Sequence, residues 1–235
     1  MFENLLRKYQ STFHPVVPFD ANKDKLLLFD FTLQNKTLTE EIFSDTKKFS
    51  SHINDQLKQV NAKYGIGGYN EHRTIYSRST TFDSSNGQEP RRLHLGVDIW
   101  GETRTPVFAP MGGMVHSFAF NNSFADYGAT IVLLHQLDGF AFYTLYGHVS
   151  LNDIGILNEG QYINHGQEFA HFGESNENGQ WPPHLHFQLI ADMEFKKGDY
   201  PGVCKYSERE KYLLNCPNPD LILQMMRYGV MSNNN

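Results

Sequence analysis

YGATIVLLHQLDGFAFYTLYGH, residues 127–148, decides the fold. Two β-rich apolar runs, 129–135 and 140–147, flank the pair Asp138-Gly139. An Asp-Gly step between two apolar runs is a strong short-range signal for a tight β-hairpin. The same texture extends outward from 93 to 190, where short apolar runs alternate with Gly, Asn, Asp and Pro. Further strands are expected at 106–109, 113–120, 168–172 and 184–190. Many short strands with glycine-rich turns predict a mainly β domain, an antiparallel sandwich or open barrel.

Upstream of this region the pattern changes. An extended lead-in at 15–31 ends in a short buried strand at Leu26–Phe31. Thr37 and Glu40 have the spacing of a capping box, and Ile42, Phe49, Ile53, Leu57 and Val60 follow on one helical face. The glycines of YGIGGY, 64–69, end that helix, and 81–91 form a polar loop. Downstream of 190 the chain is irregular, with a short helix expected at 220–228 and an Asn-rich tail. These shifts divide the chain into three parts. Residues 1–75 are an N-terminal extension with one amphipathic helix, 76–200 the main domain, and 201–235 a C-terminal tail that packs on it.

Composition narrows the function. The chain has 235 residues, 40% apolar and 14% aromatic, enough for one substantial core. A net charge of −6 with no basic stripe argues against nucleic acid and anionic membranes as partners. No apolar run has the length of a membrane span, and the first residues lack the pattern of a secretory signal. Cys204 and Cys216 lack CxxC spacing and read as two idle buried thiols. Together these features point to the cytoplasm. The oligomeric state is not encoded in any of them.

Chemistry enters with the histidines. His94-Leu-Gly-Val-Asp98 sets an imidazole and a carboxylate four residues apart, and His184-Leu-His186 sets two imidazoles at i and i+2. On a strand, i and i+2 project from one face, so both rings point into one groove. Two histidines and an aspartate make a three-ligand set for a divalent metal that leaves one position open, as catalytic zinc sites do. Such a site lowers the pKa of bound water toward about 7. Either motif alone is common; together, with His148 of Tyr-Gly-His between them, they are specific. His116, His135, His165 and His171 read as core or surface histidines. Tyr127 and Tyr146 read as packing residues, and Trp181-Pro182-Pro183 as a groove lip or a stiff loop before His184.

RLHLGVDIWGETRTPVFAPMGGMV, YGATIVLLHQLDGFAFYTLYGH, GQEFAHFG and PPHLHFQL occur here in that order. Over about residues 90–190 the chain thereby resembles the lysostaphin/LytM-type zinc metallopeptidases, which have a duplicated-hybrid-motif fold. The flanks FHPVVPFDANKDKLLLFDFT and GDYPGV…NCPNP resemble a narrower group. This is the peptidase-like domain that some large proteins carry between a kinase-like domain and a class-III aminotransferase. The resemblance implies one Zn2+ held by His94, Asp98 and His186. It also implies catalytic roles for His148 and His184, and a peptide or peptidoglycan-type substrate. A small cytoplasmic amide or peptide, or a non-catalytic zinc-containing interaction module, are the alternatives. Two departures stand out: Val149 in place of leucine after Tyr-x-His, and a longer loop, 174–183, before HLH. Asn70-Glu71-His72-Arg73 precedes the domain as a surface linker, or as a segment that covers the groove and supplies a fourth metal ligand.

Overall fold

The computed structural model describes residues 2–83 and 87–231. The Asn-rich tail and residues 84–86 of the polar loop lie outside the described residues. Thirteen strands are described: β1 (Leu26–Phe29), β2 (Tyr64–Gly67), β3 (Leu93–His94), β4 (Val97–Trp100), β5 (Pro106–Phe108), β6 (Gly113–Asn121), β7 (Gly128–Leu137), β8 (Phe140–Val149), β9 (Tyr162–Ile163), β10 (Glu168–His171), β11 (His184–Ile190), β12 (Val203–Cys204) and β13 (Gly229–Met231). The helices are short except one: α1 (Phe2–Lys8), α2 (Glu40–Ser44), α3 (Thr46–Val60), α4 (Leu151–Ile154), α5 (Arg209–Asn215) and α6 (Asp220–Leu223). Among the described residues no helix is long and apolar enough to cross a membrane.

The fold is mainly β, as expected, and its frame is one open nine-stranded sheet. The strand order is β13-β1-β2-β4-β11-β8-β7-β6-β9. The β7–β8 hairpin forms where the Asp-Gly pair predicts it. Asp138 (φ 47°) and Gly139 (φ 81°) both take the left-handed conformation that matches a two-residue turn to the twist of its strands. The sheet is mixed rather than purely antiparallel, because β1 pairs in parallel with β2 and with β13. Parallel neighbours need a crossover, and α2 and α3 supply it between β1 and β2. Residues 1–75 thus hold two strands of the main sheet besides their amphipathic helix.

Helix α3 buries Phe49, Ile53 and Leu57, the expected stripe. Its start differs from expectation. The Asp45 carboxylate accepts from Lys47 N (2.8 Å) and Lys48 N (3.0 Å), so Asp45 is the cap, while Thr37 Oγ1 donates to Asn35. The expected helix 220–228 is also interrupted. Gln224 turns left-handed (φ 52°), and the Asp220 carboxylate accepts from Met225 N and Met226 N. Beyond that turn a short 3-10 helix, Met226–Tyr228, leads into edge strand β13.

The period of two along β4 and β11 separates core from site. Val97, Ile99, Leu185, Phe187 and Leu189 enter the main apolar cluster on one face. Asp98, Trp100, His184, His186 and Gln188 therefore project from the other, and all of them are buried.

His135 is a core histidine, as the sequence suggested. It is 2% exposed, one ring nitrogen lies 3.0 Å from Gly112 O and the other 2.7 Å from Thr144 Oγ1. Burial depresses its pKa from 6.5 to about 4. A depressed folded pKa contributes stability above 6.5 that is lost as pH falls toward 4, here on the order of 3 kcal/mol. Urea unfolding of His135→Gln should lose less stability between pH 7 and pH 4 than wild type does. Equal slopes would show that this imidazole does not contribute.

Candidate metal centre

Antiparallel pairing of β4 with β11 sets His186 opposite Asp98 and His184 opposite Trp100. His94, on β3, enters from the same side. His94 Nε2 lies 2.9 Å from His186 Nδ1, His186 Nδ1 lies 3.1 Å from Asp98 Oδ1, and His94 Nε2 lies 3.3 Å from Asp98 Oδ1. These three are the group of His, Asp, Glu or Cys side chains among the described residues that could hold a metal ion. Tetrahedral zinc with bonds of about 2.0–2.1 Å separates its ligand atoms by roughly 3.3 Å, so the spacing fits.

The protons fit as well. His94 Nδ1 lies 2.9 Å from the Gly68 carbonyl and His186 Nε2 lies 2.8 Å from Gln188 Oε1. Each partner oxygen only accepts, so each of those ring nitrogens carries the hydrogen. Gln188 is oriented by its amide nitrogen, which donates to Pro201 O and to Cys216 Sγ. The nitrogens facing each other across 2.9 Å are then both lone pairs, with a carboxylate oxygen beside them. Three proton-free acceptors converging on one buried point repel one another unless a cation lies between them.

Gly96, inside the His-Leu-Gly-Val-Asp motif, makes the approach possible. A Cβ there would lie 2.4 Å from His186 Cε1. Gly202 leaves room for Tyr127 beside that ring, since a Cβ there would lie 1.9 Å from Tyr127 Oη and 3.2 Å from His186 Cε1. Tyr127 Oη itself is 3.3 Å from His186 Nε2.

Arg73 holds the other carboxylate oxygen. Its Nη1 donates to Asp98 Oδ2, its Nε donates to Glu71 Oε2 at 2.6 Å, and it is completely buried. Segment 70–73 is therefore not a surface linker. Asn70, whose Oδ1 accepts from Arg209 Nε at 2.8 Å, is not in the metal-holding group. Burial pushes the Asp98 carboxyl up, but the charge of the buried Arg73 guanidinium beside it acts the other way, and the group is held well below the usual carboxylate range. Burial also opposes the Arg73 charge, and Tyr76, Asp98 and Glu71 more than restore it. Burial, then the Arg73 charge, lowers His94 to about 3, so this imidazole is neutral near pH 7.

His148 and His184 stand beside the three. Each has its Nδ1 2.8 Å from a carbonyl, Asn178 O and Pro182 O respectively, which leaves Nε2 free of hydrogen. Burial lowers His184 to about 4. Burial together with His184 and His186 takes His148 well below its ordinary value. Their ring centroids are 4.1 Å apart, and His184 stacks on Trp100 at 3.8 Å. His148 takes a left-handed backbone (φ 63°) at the end of β8, which turns its ring toward the site. Trp181-Pro182-Pro183 is both lip and support: Trp181 lines the cavity and Pro182 O orients His184.

The structure thus brings together all five residues named from sequence. Tyr146 packs on Phe169 and Phe187, in the core. Cys204 and Cys216 are free and buried. Sequence reading named the 70–73 segment as a linker or a groove cover, but not the role of Glu71 and Arg73 behind Asp98, and it missed Gly68, Asn178 and Gln188. Of these three only Gln188 carried a signal, as the next residue on the His184–His186 face of the strand.

Residues 92–197 match the model of Peptidase family M23. This stretch contains every motif quoted for the lysostaphin/LytM-type resemblance. The chain is 28% identical over 148 residues to the L-Ala–D-Glu endopeptidase of Bacillus subtilis, over 60% of this chain and 43% of the relative. The chain thus spans less than half the length of the curated relative it matches. Among solved structures, it is similar to the catalytic domain of lysostaphin from Staphylococcus simulans, at 22% identity over 69% of this chain and 97% of that one, with a TM-score of 0.40. It is also similar to a zinc-containing peptidase from Vibrio cholerae, at 25% identity over 42% of this chain and 27% of that one, with a TM-score of 0.34.

Removing one partner of a buried ion pair leaves an uncompensated charge, a loss of about 3–5 kcal/mol. Arg73→Met should lower stability by that order in urea titrations with chelator present. Adding Asp98→Asn to Arg73→Met should recover part of the loss. A single mutant as stable as wild type would mean that the pair carries no such charge balance.

Proposed function

We propose that this protein is a zinc-dependent metalloendopeptidase that hydrolyses peptide bonds of a peptidoglycan-like substrate. The observation that carries the reading is the convergence of three proton-free donor atoms, His94 Nε2, Asp98 Oδ1 and His186 Nδ1, on one buried point. Their nitrogen and carboxylate chemistry suits zinc. The M23 match and the endopeptidase relative support peptide-bond hydrolysis and a wall-type peptide. Zinc in such a site supplies a Lewis acid, which polarises a carbonyl and makes water a nucleophile near neutral pH.

The chain's own groups do the rest. Arg73 and Glu71 fix the Asp98 carboxylate, and Gly68 O and Gln188 fix the tautomers of the two histidine ligands. His184 and His148, neutral with Nε2 bare, accept the proton released by attacking water and return it to the departing amine. Once protonated, either imidazolium donates to the oxygen on which negative charge develops. Low basicity favours the return step, since a weakly basic imidazole releases its proton readily.

Zinc content and hydrolysis should be measured together, on purified peptidoglycan and on glycyl and D-amino-acid peptides. Wild type should carry one zinc per chain and cleave. His186→Ala and Asp98→Ala should lose both properties. His184→Ala should keep its zinc and lose about a hundredfold or more in turnover. Full turnover by zinc-loaded His184→Ala would remove that residue from the chemistry. Zinc without any cleavage by wild type would reject the peptidase reading.

A further inference from the structure

His148 and His184 lean on one loop. His148 Nδ1 lies 2.8 Å from Asn178 O, and His184 Nδ1 lies 2.8 Å from Pro182 O. The two rings stand on different strands, near the end of β8 and at the start of β11, yet both orienting carbonyls belong to residues 174–183. A carbonyl only accepts, so each bond holds its ring in the tautomer with hydrogen on Nδ1. The conformation of this loop therefore decides which nitrogen of each imidazole is left bare.

Inside the loop one side chain fixes the turn between those two carbonyls. Asn178 is completely buried. Its Oδ1 accepts from Trp181 N at 3.0 Å, and its Nδ2 donates to Trp181 O at 3.1 Å and to Gly173 O at 3.3 Å. One partner is an N–H and two are carbonyls, so the amide fits in one orientation only. Trp181 is thus held by both of its backbone polar groups. Pro182 and Pro183 follow, each with φ fixed by its ring, and carry that hold through to Pro182 O. The rest of the loop is anchored separately. Ala125 N donates to Gly179 O and Ala129 N to Glu177 O, both at 2.9 Å. The buried Glu177 carboxylate accepts from Leu151 N at 2.8 Å and from Glu174 N at 2.9 Å. Gly128 permits this close approach, since a Cβ there would lie 2.1 Å from Glu177 O.

We propose that Asn178 is a positioning residue for the hydrolytic reaction: its carboxamide sets the 178–182 turn, whose carbonyls hold His148 and His184 with Nε2 bare to take a proton. This inference rests on the proton-carrying roles given to the two histidines and assigns the group that prepares them. Asn178→Asp is nearly isosteric. It removes both donated bonds and sets a carboxylate oxygen against the Gly173 and Trp181 carbonyls. Glu177→Gln loosens the same loop at Leu151 and Glu174 but keeps every side-chain bond of Asn178. The pair of variants therefore separates the stability of the loop from the setting of the turn.

Tautomers are read directly by long-range proton–nitrogen NMR on the zinc-loaded full chain with 15N-labelled histidine. Zinc content and turnover of glycyl and D-amino-acid peptides are measured on the same samples. In wild type both rings should carry hydrogen on Nδ1. Asn178→Asp and Asn178→Ala should each keep one zinc and show mixed tautomers at His148 and His184. Their kcat should fall about tenfold or more, with a smaller change in KM. Glu177→Gln should keep the wild-type tautomers. Asn178→Asp carries the test if Asn178→Ala does not fold. Hydrogen on Nε2 in wild type overturns the proposal, whatever the variants do. So do wild-type tautomers in Asn178→Asp, or an equal tautomer shift in Glu177→Gln. Tautomers that depend on Asn178 in a protein that cleaves none of the peptides leave its hold on the rings standing and reject the peptidase reading. Shifted tautomers with unchanged kcat leave the peptidase reading standing and reject the role of Asn178 in the reaction.

Discussion

Three acceptors without a proton between them cannot share a buried point unless something positive joins them, and the structure is organised around that constraint. The lone pairs of His94 and His186 face each other at 2.9 Å with the Asp98 carboxylate beside them. Each is held there by a partner on its other side: a backbone carbonyl, an oriented glutamine amide and a buried guanidinium. The outer partners cost conformational freedom and desolvation. What they secure is a donor set already assembled, so that binding a cation requires little rearrangement.

The N-terminal part is bound into this arrangement in three ways. Strand β2 pairs with β4, in the register Gly67–Asp98, and so braces the strand that carries the carboxylate. Gly68 and Arg73, which follow it, touch the site directly. Residues 75–82 then form a wall of the cavity. A segment that begins as sheet, continues as ligand support and ends as wall joins the stability of the frame to the shape of the opening. Helix α3 adds to the same unit, since Phe49 packs on both Trp100 and Trp181, the rings that flank His184.

Close approach also explains small residues that no catalytic argument would select. Gly96 leaves room for the His186 ring, and Gly202 for the Tyr127 hydroxyl beside it. In the His-Leu-Gly-Val-Asp motif the glycine is thus as much a part of the candidate metal centre as the histidine and aspartate, through the space it leaves.

Local signals in the sequence determined the β7–β8 hairpin, the strand that carries His184 and His186, the helical stripe of α3 and all five residues at the centre. Each rests on a short-range cause: an Asp-Gly turn, a period of two, a period of 3.6, and ligand chemistry at fixed spacing. Resemblance joined the motifs across ninety residues, where spacing alone is silent. Only tertiary structure decided the parallel placement of β1, the start of α3 at Asp45, and the interruption at Gln224. It alone brought Arg73 and Glu71 to Asp98. The physical reason is common to these. A buried charge or an unpaired strand edge takes whichever partner the fold brings near, and that partner's distance along the chain leaves no periodicity to read.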